Sequence, residues 1–291
     1  GGGDLGTPNT FPTEIAHEAG VHVIINMAWT VPVVDGRVAV AVMENDRLWD
    51  INGRPTSRIY WHAQNMGFDL PSVLRIAPGV DMGRFTTRVD RGNRHRDHVV
   101  VGRVSRLVPE KDPTTFVRAA ALIAEWRDDV HFAIWGDGEE AHSLKRLAQD
   151  LGLSPDRLTF HGATNDVRSA LEDMDIFAYS TVGDSVGWVL LEAMAMELPI
   201  VSTDIDAIPT FVRHNDNGLL VDPRDVEAFA SAVMYMVDDR DTRLAMGKRS
   251  RERCEGEFQL ERYVRDYVEL YRHVGNTRYV PKQRHLMDWK G

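Results

Sequence analysis

From Val99 onward, short apolar runs alternate with segments of helical length. The runs are Val99–Val101, Val130–Trp135, Leu158–Phe160, Ile176–Tyr179, Ile200–Ser202 and Leu219–Val221. They are almost unbroken in hydrophobicity and rich in Val and Ile, which suits strands covered on both faces. Half-exposed antiparallel strands would instead alternate apolar with polar residues. Between the runs, apolar residues recur at helical spacing: Phe116, Ala120, Ile123 and Trp126; then Leu144, Leu147 and Leu151; then Val226, Phe229, Val233 and Met236. Six strands separated by helices predict an α/β fold with a doubly wound, parallel, Rossmann-like sheet over residues 98–275. In such a sheet the ligand crevice lies at the carboxyl ends of the strands.

Residues 1–90 are less regular and predict a smaller, incomplete α/β segment. A helix is expected over Thr13–Ala19, with strands over Val21–Asn26, Val38–Val42 and Val73–Ile76. The polar stretch Arg88–Asp97, with Arg88, Arg91, Arg94 and Arg96, reads as a linker ending at 97. Near the other end, Tyr263, Tyr267, Leu270 and Tyr271 share one helical face, which suggests packing between domains. Residues 276–291 form a basic tail.

Composition narrows the class. A 43% hydrophobic and 27% charged chain of 291 residues excludes collagen-like, low-complexity and disordered classes. The net charge of −10 argues against non-specific nucleic-acid binding. Cys254 is the only cysteine, so it forms no internal disulfide and fits a reducing compartment. No apolar run approaches the roughly 20 residues that cross a bilayer. Gly1–Leu5 has neither the basic region nor the apolar stretch of a secretory signal. The expected setting is the cytoplasm. The linker arginines and basic tail still permit peripheral contact with a membrane face.

Two segments carry candidate chemistry. The first runs from Gly102 to Pro113 (GRVSRLVPEKDP), after the first strand of the large domain and before a helix. Gly102 allows close backbone approach, and Arg103, Arg106 and Lys111 suit a doubly charged diphosphate. A solvated basic turn would have the same composition. The second, Ser180–Ala195, lies between the fourth strand and a helix beginning near Gly187. Gly183 and Gly187 bracket a tight turn whose amides, with the helix dipole, form an anion site. Glu192 falls in the second turn of that helix among apolar neighbours and needs a partner, which the vicinal hydroxyls of a ribose would supply. A capping Asp184 and a surface Glu192 are the structural alternative.

Together these segments resemble the family-4 retaining glycosyltransferases of the GT-B fold, also called glycosyl transferases group 1, which use nucleotide-sugar donors. Gly102–Lys111 is similar to their phosphate-binding segment. Asp184–Glu192 is similar to their E-x7-E motif, with Glu192–Ala195 and Leu198–Val201 in register. Further matches are Pro78–Asp81, Trp135–Gly138, Phe160–Gly162 and Asn217–Val221. The resemblance covers residues 73–240. Asp184 stands where glutamate is usual, Ser185 and Val186 replace Gly-Phe, and Asp206–Thr210 replaces a glycine pair followed by glutamate.

The resemblance implies transfer of a sugar from a nucleoside-diphosphate sugar to an acceptor, with retention at the anomeric carbon, no cofactor and no obligatory metal. It gives catalytic roles to Arg106, Lys111, Asp184 and Glu192. It places Gly102, Arg103, His161, Gly162, Ser185, Val186, Gly187, Trp188 and Val189 at the donor, and Gly2, Gly3 and His62 on the acceptor side. The expected acceptor is a carbohydrate, a lipid-linked molecule or another small molecule. The short amino-terminal region leaves open a non-catalytic nucleotide-sugar binding module, and a homo-oligomer or partner subunit that completes the acceptor domain. An epimerase or phosphorylase of related architecture fits the Asp184–Glu192 segment less well. His95 and His98 are expected to be solvated. Cys254, with no evident base nearby, is not expected to be a nucleophile.

Overall fold

The computed structural model describes residues 73–87, 97–183, 187–205 and 207–275, and strand backbones at 22–26, 29–34, 37–38 and 40–43. The chain divides into two units, Gly1–Gly79 with Leu260–Gly291, and Val80–Gln259.

In the first unit, β1 (His22–Asn26), β2 (Trp29–Val34), β3 (Arg37–Val38), β4 (Val40–Met43) and β5 (Val73–Ile76) form one sheet in the order β1-β2-β4-β5, with β3 on β2. Only β4–β5 is parallel; the other pairs are antiparallel. The strand at Val73–Ile76 is the one expected, and those at Val21–Asn26 and Val38–Val42 shift by one or two residues. β2 was not anticipated: Pro32 cannot donate to a ladder and reads against a strand, yet here it stands opposite Val23. The expected helix over Thr13–Ala19 lies outside the described residues.

The helix Leu260–Gly275 groups with this unit, where it packs on β2 and β5. Arg262 Nη2 donates to the carbonyls of Ala77 (2.8 Å) and Pro78 (3.3 Å), and Tyr263 and Tyr267 are buried edge to face. The boundary therefore falls at Gly79–Val80 rather than at 90–97, and the tyrosine-bearing helix leaves the large domain for the amino-terminal sheet.

The second unit is the expected doubly wound sheet. Its strands are β6 (Val99–Val104), β7 (Val130–Trp135), β8 (Leu158–Gly162), β9 (Ile176–Tyr179), β10 (Ile200–Thr203) and β11 (Gly218–Val221). All are parallel, in the order β11-β10-β9-β6-β7-β8. The intervening helices are α1 (Pro113–Ala124), α2 (Ala141–Asp150), α3 (Val167–Asp173), α4 (Trp188–Ala195), α5 (Ile208–Phe211), α6 (Val226–Asp238) and α7 (Arg240–Glu257); the helix Leu260–Gly275 is α8.

The period-2 geometry of a strand sorts the core into two faces. Val101, Phe132, Ile134, Ile176, Ala178, Val201 and Leu219 pack with Phe116 of α1, Leu144 of α2 and Phe229 and Val233 of α6. Their chain neighbours, such as Gly102 and Phe177, face the other way, toward Met174 after α3 and the helices α4 and α7. Both faces are covered, which is why the runs show no alternation. Side-chain carboxylates of Asp166, Asp225 and Asp239 cap α3, α6 and α7. Trp126 departs from expectation: α1 ends at Ala124, so Trp126 leaves the core face and is 83% exposed.

One loop pair fixes the crevice edge. Ser105 N donates to Trp135 O and Leu107 N to Asp137 O, extending the β6–β7 ladder beyond the strands. Gly136 (φ 149°) and Gly138 (φ 157°) hold conformations that side-chain-bearing residues avoid, and a Cβ on Gly136 would lie 1.8 Å from Ser105 O. Gly136→Ala is expected to destabilise the protein by about 2–3 kcal/mol, seen as a lower urea midpoint at unchanged slope.

Candidate functional site

The strand order reverses between β6 and β9, so their carboxyl ends open onto the switch-point crevice. Beyond β6 the chain turns through a 3-10 turn, Pro109–Lys111, into α1; beyond β9 it runs through Ser180–Gly183 toward α4. These two connections are clasped together. Val182 N (3.0 Å) and Thr181 Oγ1 (2.8 Å) both donate to Glu110 O. Lys111 Nζ donates to Gly183 O at 3.4 Å and pairs with Glu110 Oε1 at 3.3 Å. Thr203 Oγ1 of β10 donates to Thr181 O, holding the second connection from its far side. A largely buried lysine is thus fixed at the switch point, beside the turn that leads to α4. Arg106, two residues past β6, is exposed.

Arg103 sits beneath this clasp rather than in it. It is fully buried, donating through Nη2 to Lys111 O (2.7 Å) and Ser105 Oγ (2.9 Å), and through Nη1 to Ser180 Oγ (3.0 Å). Its charge is uncomfortable there: burial pulls its pKa down to about 10. Ser180 Oγ in turn donates to Asp112 O at 2.7 Å, and Asp112 adopts a left-handed conformation (φ 38°) at the start of α1. The donor role expected for Arg103 gives way to a structural one, because its guanidinium is already occupied by the two connections. Gly102 is likewise internal: a Cβ there would meet Met174 Sδ at 2.5 Å, so the glycine serves packing within the sheet.

Gly187 is the N-cap of α4 and places no side chain over the first-turn amides of Trp188 and Val189. The helix beginning expected near Gly187 is where the structure has it. Glu192 follows in the second turn, between buried Leu191 and Ala193. Burial pushes its pKa up to about 7, opposed by the charge of Arg84. Among the described residues its carboxylate has no hydrogen-bond partner. The sign of the pH effect follows. A carboxyl raised in the folded state holds its proton longer than in the unfolded chain, so stability falls as pH rises from the ordinary glutamate range through about 7. Glu192→Gln, which cannot ionise, is expected to be more stable than wild type by about 1–3 kcal/mol at pH 8. At pH 4 the difference should vanish; equal denaturation midpoints at pH 8 would contradict it.

At the carboxyl ends of β7 and β8, the rings of Trp135 and His161 stack with centroids 4.3 Å apart and planes 3° from parallel. Trp135 is buried, and His161 presents its outer face to solvent. Burial and the neighbouring His131 lower the His161 pKa, favouring the neutral ring. Gly162 closes β8 in a left-handed conformation (φ 78°) and accepts a bond from Gly136 N. Cys254 is buried in α7 with its thiol on Leu191 O (3.7 Å) and its pKa pushed up to about 12 by burial, so it is inert.

The structure thus puts Lys111 at the switch point, bonded to the connection that runs on to α4, which bears Glu192; Arg106 lies exposed on the connection after β6. Asp184, Ser185, Val186, Gly2, Gly3, His62 and His95 lie outside the described residues. Ser180, Thr181 and Arg251 were not singled out in the sequence. The first two could have been, as hydroxyls directly following a core strand; Arg251, in a run of charged helix residues, carries no local signal. Among the described residues, no helix is long and apolar enough to cross a membrane.

Sheet order, switch-point clasp and helix terminus define a doubly wound, Rossmann-like α/β domain. The chain belongs to the glycosyl transferases group 1 family, whose model matches residues 86–253. It is 36% identical over 174 residues to the lipopolysaccharide core biosynthesis glycosyltransferase LpsE of Rhizobium meliloti, covering 60% of this chain and 50% of that one. It is 35% identical over 196 residues to a GDP-mannose-dependent alpha-(1-6)-phosphatidylinositol monomannoside mannosyltransferase of Mycobacterium tuberculosis, covering 62% and 51%. The chain therefore spans about half the length of these relatives. In fold it is similar to Anabaena HepE, solved in complex with UDP and glucose, with a TM-score of 0.64 at 21% identity over 71% of this chain and 58% of that one.

Proposed function

We propose that this chain carries the donor site of a glycosyltransferase that moves a sugar from a nucleoside-diphosphate sugar to an acceptor hydroxyl, with retention of configuration and without an obligatory metal. The observation that carries this reading is the clasped lysine at the switch point, bonded to the connection that runs on to an uncapped helix bearing a carboxylate. As the bond between the anomeric carbon and the diphosphate oxygen breaks, its electron pair passes to that oxygen. Lys111 and Arg106 stabilise the charge, aided by the α4 amides. The acceptor oxygen bonds to the same face of the anomeric carbon and its proton passes to the departing phosphate oxygen, so no protein nucleophile is needed. Glu192 accepts hydrogen bonds from the ribose hydroxyls, and Asp184 contacts hydroxyls of the donor sugar. His161, stacked on Trp135, offers a flat surface to the base.

The Mycobacterium relative is named for GDP-mannose and the Anabaena structure holds UDP, so the donor panel spans both bases as well as ADP-sugars. Release of nucleoside diphosphate from one donor, strongly reduced by Glu192→Ala and Lys111→Ala, is the expected result. Binding without turnover, weakened by both changes, would favour a binding module or a subunit completed by a partner. Failure to bind any donor would refute the reading. The acceptor class, an oligomeric or partner-completed state, and a cytoplasmic or membrane-face setting belong to the same proposal.

A further inference from the structure

Two fully buried threonines stand behind the lysine at the switch point. Thr203 ends β10, and Thr181 is the second residue past β9. The Thr203 hydroxyl takes up both backbone groups of Thr181: Oγ1 accepts from Thr181 N at 3.2 Å and donates to Thr181 O at 2.8 Å. The Thr181 hydroxyl repeats the pattern one step further on. It accepts from Gly183 N at 3.3 Å and donates to Glu110 O at 2.8 Å. Glu110 precedes Lys111 in the chain, and Gly183 O receives the Lys111 ammonium at 3.4 Å. One hydroxyl therefore holds both the residue before the lysine and the residue whose carbonyl the lysine reaches.

Proton count decides how these groups are shared. A hydroxyl donates once. Thr181 Oγ1 lies 2.8 Å from Glu110 O and 3.0 Å from Gly183 O, so a proton given to the first is withheld from the second. Gly183 O is then left to the ammonium. Val182 N, also on Glu110 O at 3.0 Å, joins the two connections without this hydroxyl. What the hydroxyl adds is therefore the orientation of the Gly183 peptide, whose amide it holds.

We infer that Thr181 is a positioning residue: its hydroxyl orients the Gly183 peptide and the Glu110–Lys111 turn together, and so sets where the Lys111 ammonium stands as charge builds on the leaving diphosphate. The inference rests on the charge-stabilising role proposed for Lys111. A flexible four-carbon side chain delivers its charge to one place only when its far end is anchored. Gly183 O is that anchor, and a glycine peptide turns freely unless its amide is held. Thr181 holds it with a β-branched side chain of restricted rotamer, on a backbone that Thr203 has already fixed.

Turnover and stability are read in Thr181→Val, which keeps the shape and loses the hydroxyl, in Thr181→Ser, which returns it, and in each combined with Lys111→Ala. With the donor that wild type turns over, Thr181→Val should lower kcat about fivefold to thirtyfold, with KM changed less than about threefold. Thr181→Ser should recover most of that rate. In the Lys111→Ala background, Thr181→Val should change kcat less than about twofold, because the group it positions is gone. Equal losses in both backgrounds, or no recovery in Thr181→Ser, overturn the inference. Thermal unfolding repeats the cycle without ligand. Thr181→Val should lower Tm by about 2–4 °C, and by at least about 1 °C less when Lys111 is already alanine. Strictly additive shifts overturn the coupling, and Thr181→Ala serves the same cycle should Thr181→Val fail to fold. Absence of turnover and of nucleotide binding in wild type would refute the role of Lys111, while the thermal cycle would still decide whether Thr181 holds its ammonium.

Discussion

Replacing Arg103 by alanine is expected to lower stability by about 3–5 kcal/mol, because it strips the site's two connections of their common donor. Lys111 O, Ser105 Oγ and Ser180 Oγ each lose a bond, and a cavity opens between the Phe116 and Tyr179 rings that flank the guanidinium at 5.7 and 5.8 Å. Arg103→Lys should recover little, since one ammonium cannot reach acceptors spread on both sides of a planar fork. Denaturant unfolding gives the magnitude. A variant that keeps wild-type stability but loses donor affinity would return Arg103 to the ligand role expected from the sequence.

Lys111→Ala is expected to act in the opposite sense, on chemistry rather than on the fold. Lys111 donates to Gly183 O of the second connection at 3.4 Å, while Val182 N and Thr181 Oγ1 hold the clasp through bonds of their own to Glu110 O. Turnover of the preferred donor should fall by about 10²–10³-fold, the range found when one preorganised charge-stabilising group is removed. The melting temperature should change far less than in Arg103→Ala. Lys111→Arg should restore part of the rate by keeping the charge. A loss confined to KM, with kcat intact, would mean that Lys111 holds the ground-state diphosphate without favouring its departure.

The large domain was legible because its strands are buried on both faces, so each announces itself as an unbroken apolar run. The amino-terminal sheet was only half legible: its antiparallel strands are short, and β2 carries a proline. In the site, the start of α4 could be placed from the glycine at position 187, whereas the segment around Lys111 read equally well as a solvated basic turn until the family resemblance was added. Arg103 could not be placed by charge, which is the same whether a side chain enters the crevice or lies under it. Strand parity held the answer. Arg103 is two residues from Val101, so it shares the face covered by α1, and Phe116 of that helix flanks it. Glu192 was recognised as a carboxylate in need of a partner.

The division of the chain also fixes an order of events during synthesis. The Val80–Gln259 unit is one uninterrupted stretch, so every partner it needs has emerged from the ribosome once that stretch is made. The amino-terminal sheet waits longer: its anchoring bond from Arg262 to Ala77 joins residues 185 positions apart. The later-made domain is therefore the first able to finish folding, and β1–β5 remain without their covering helix until it has.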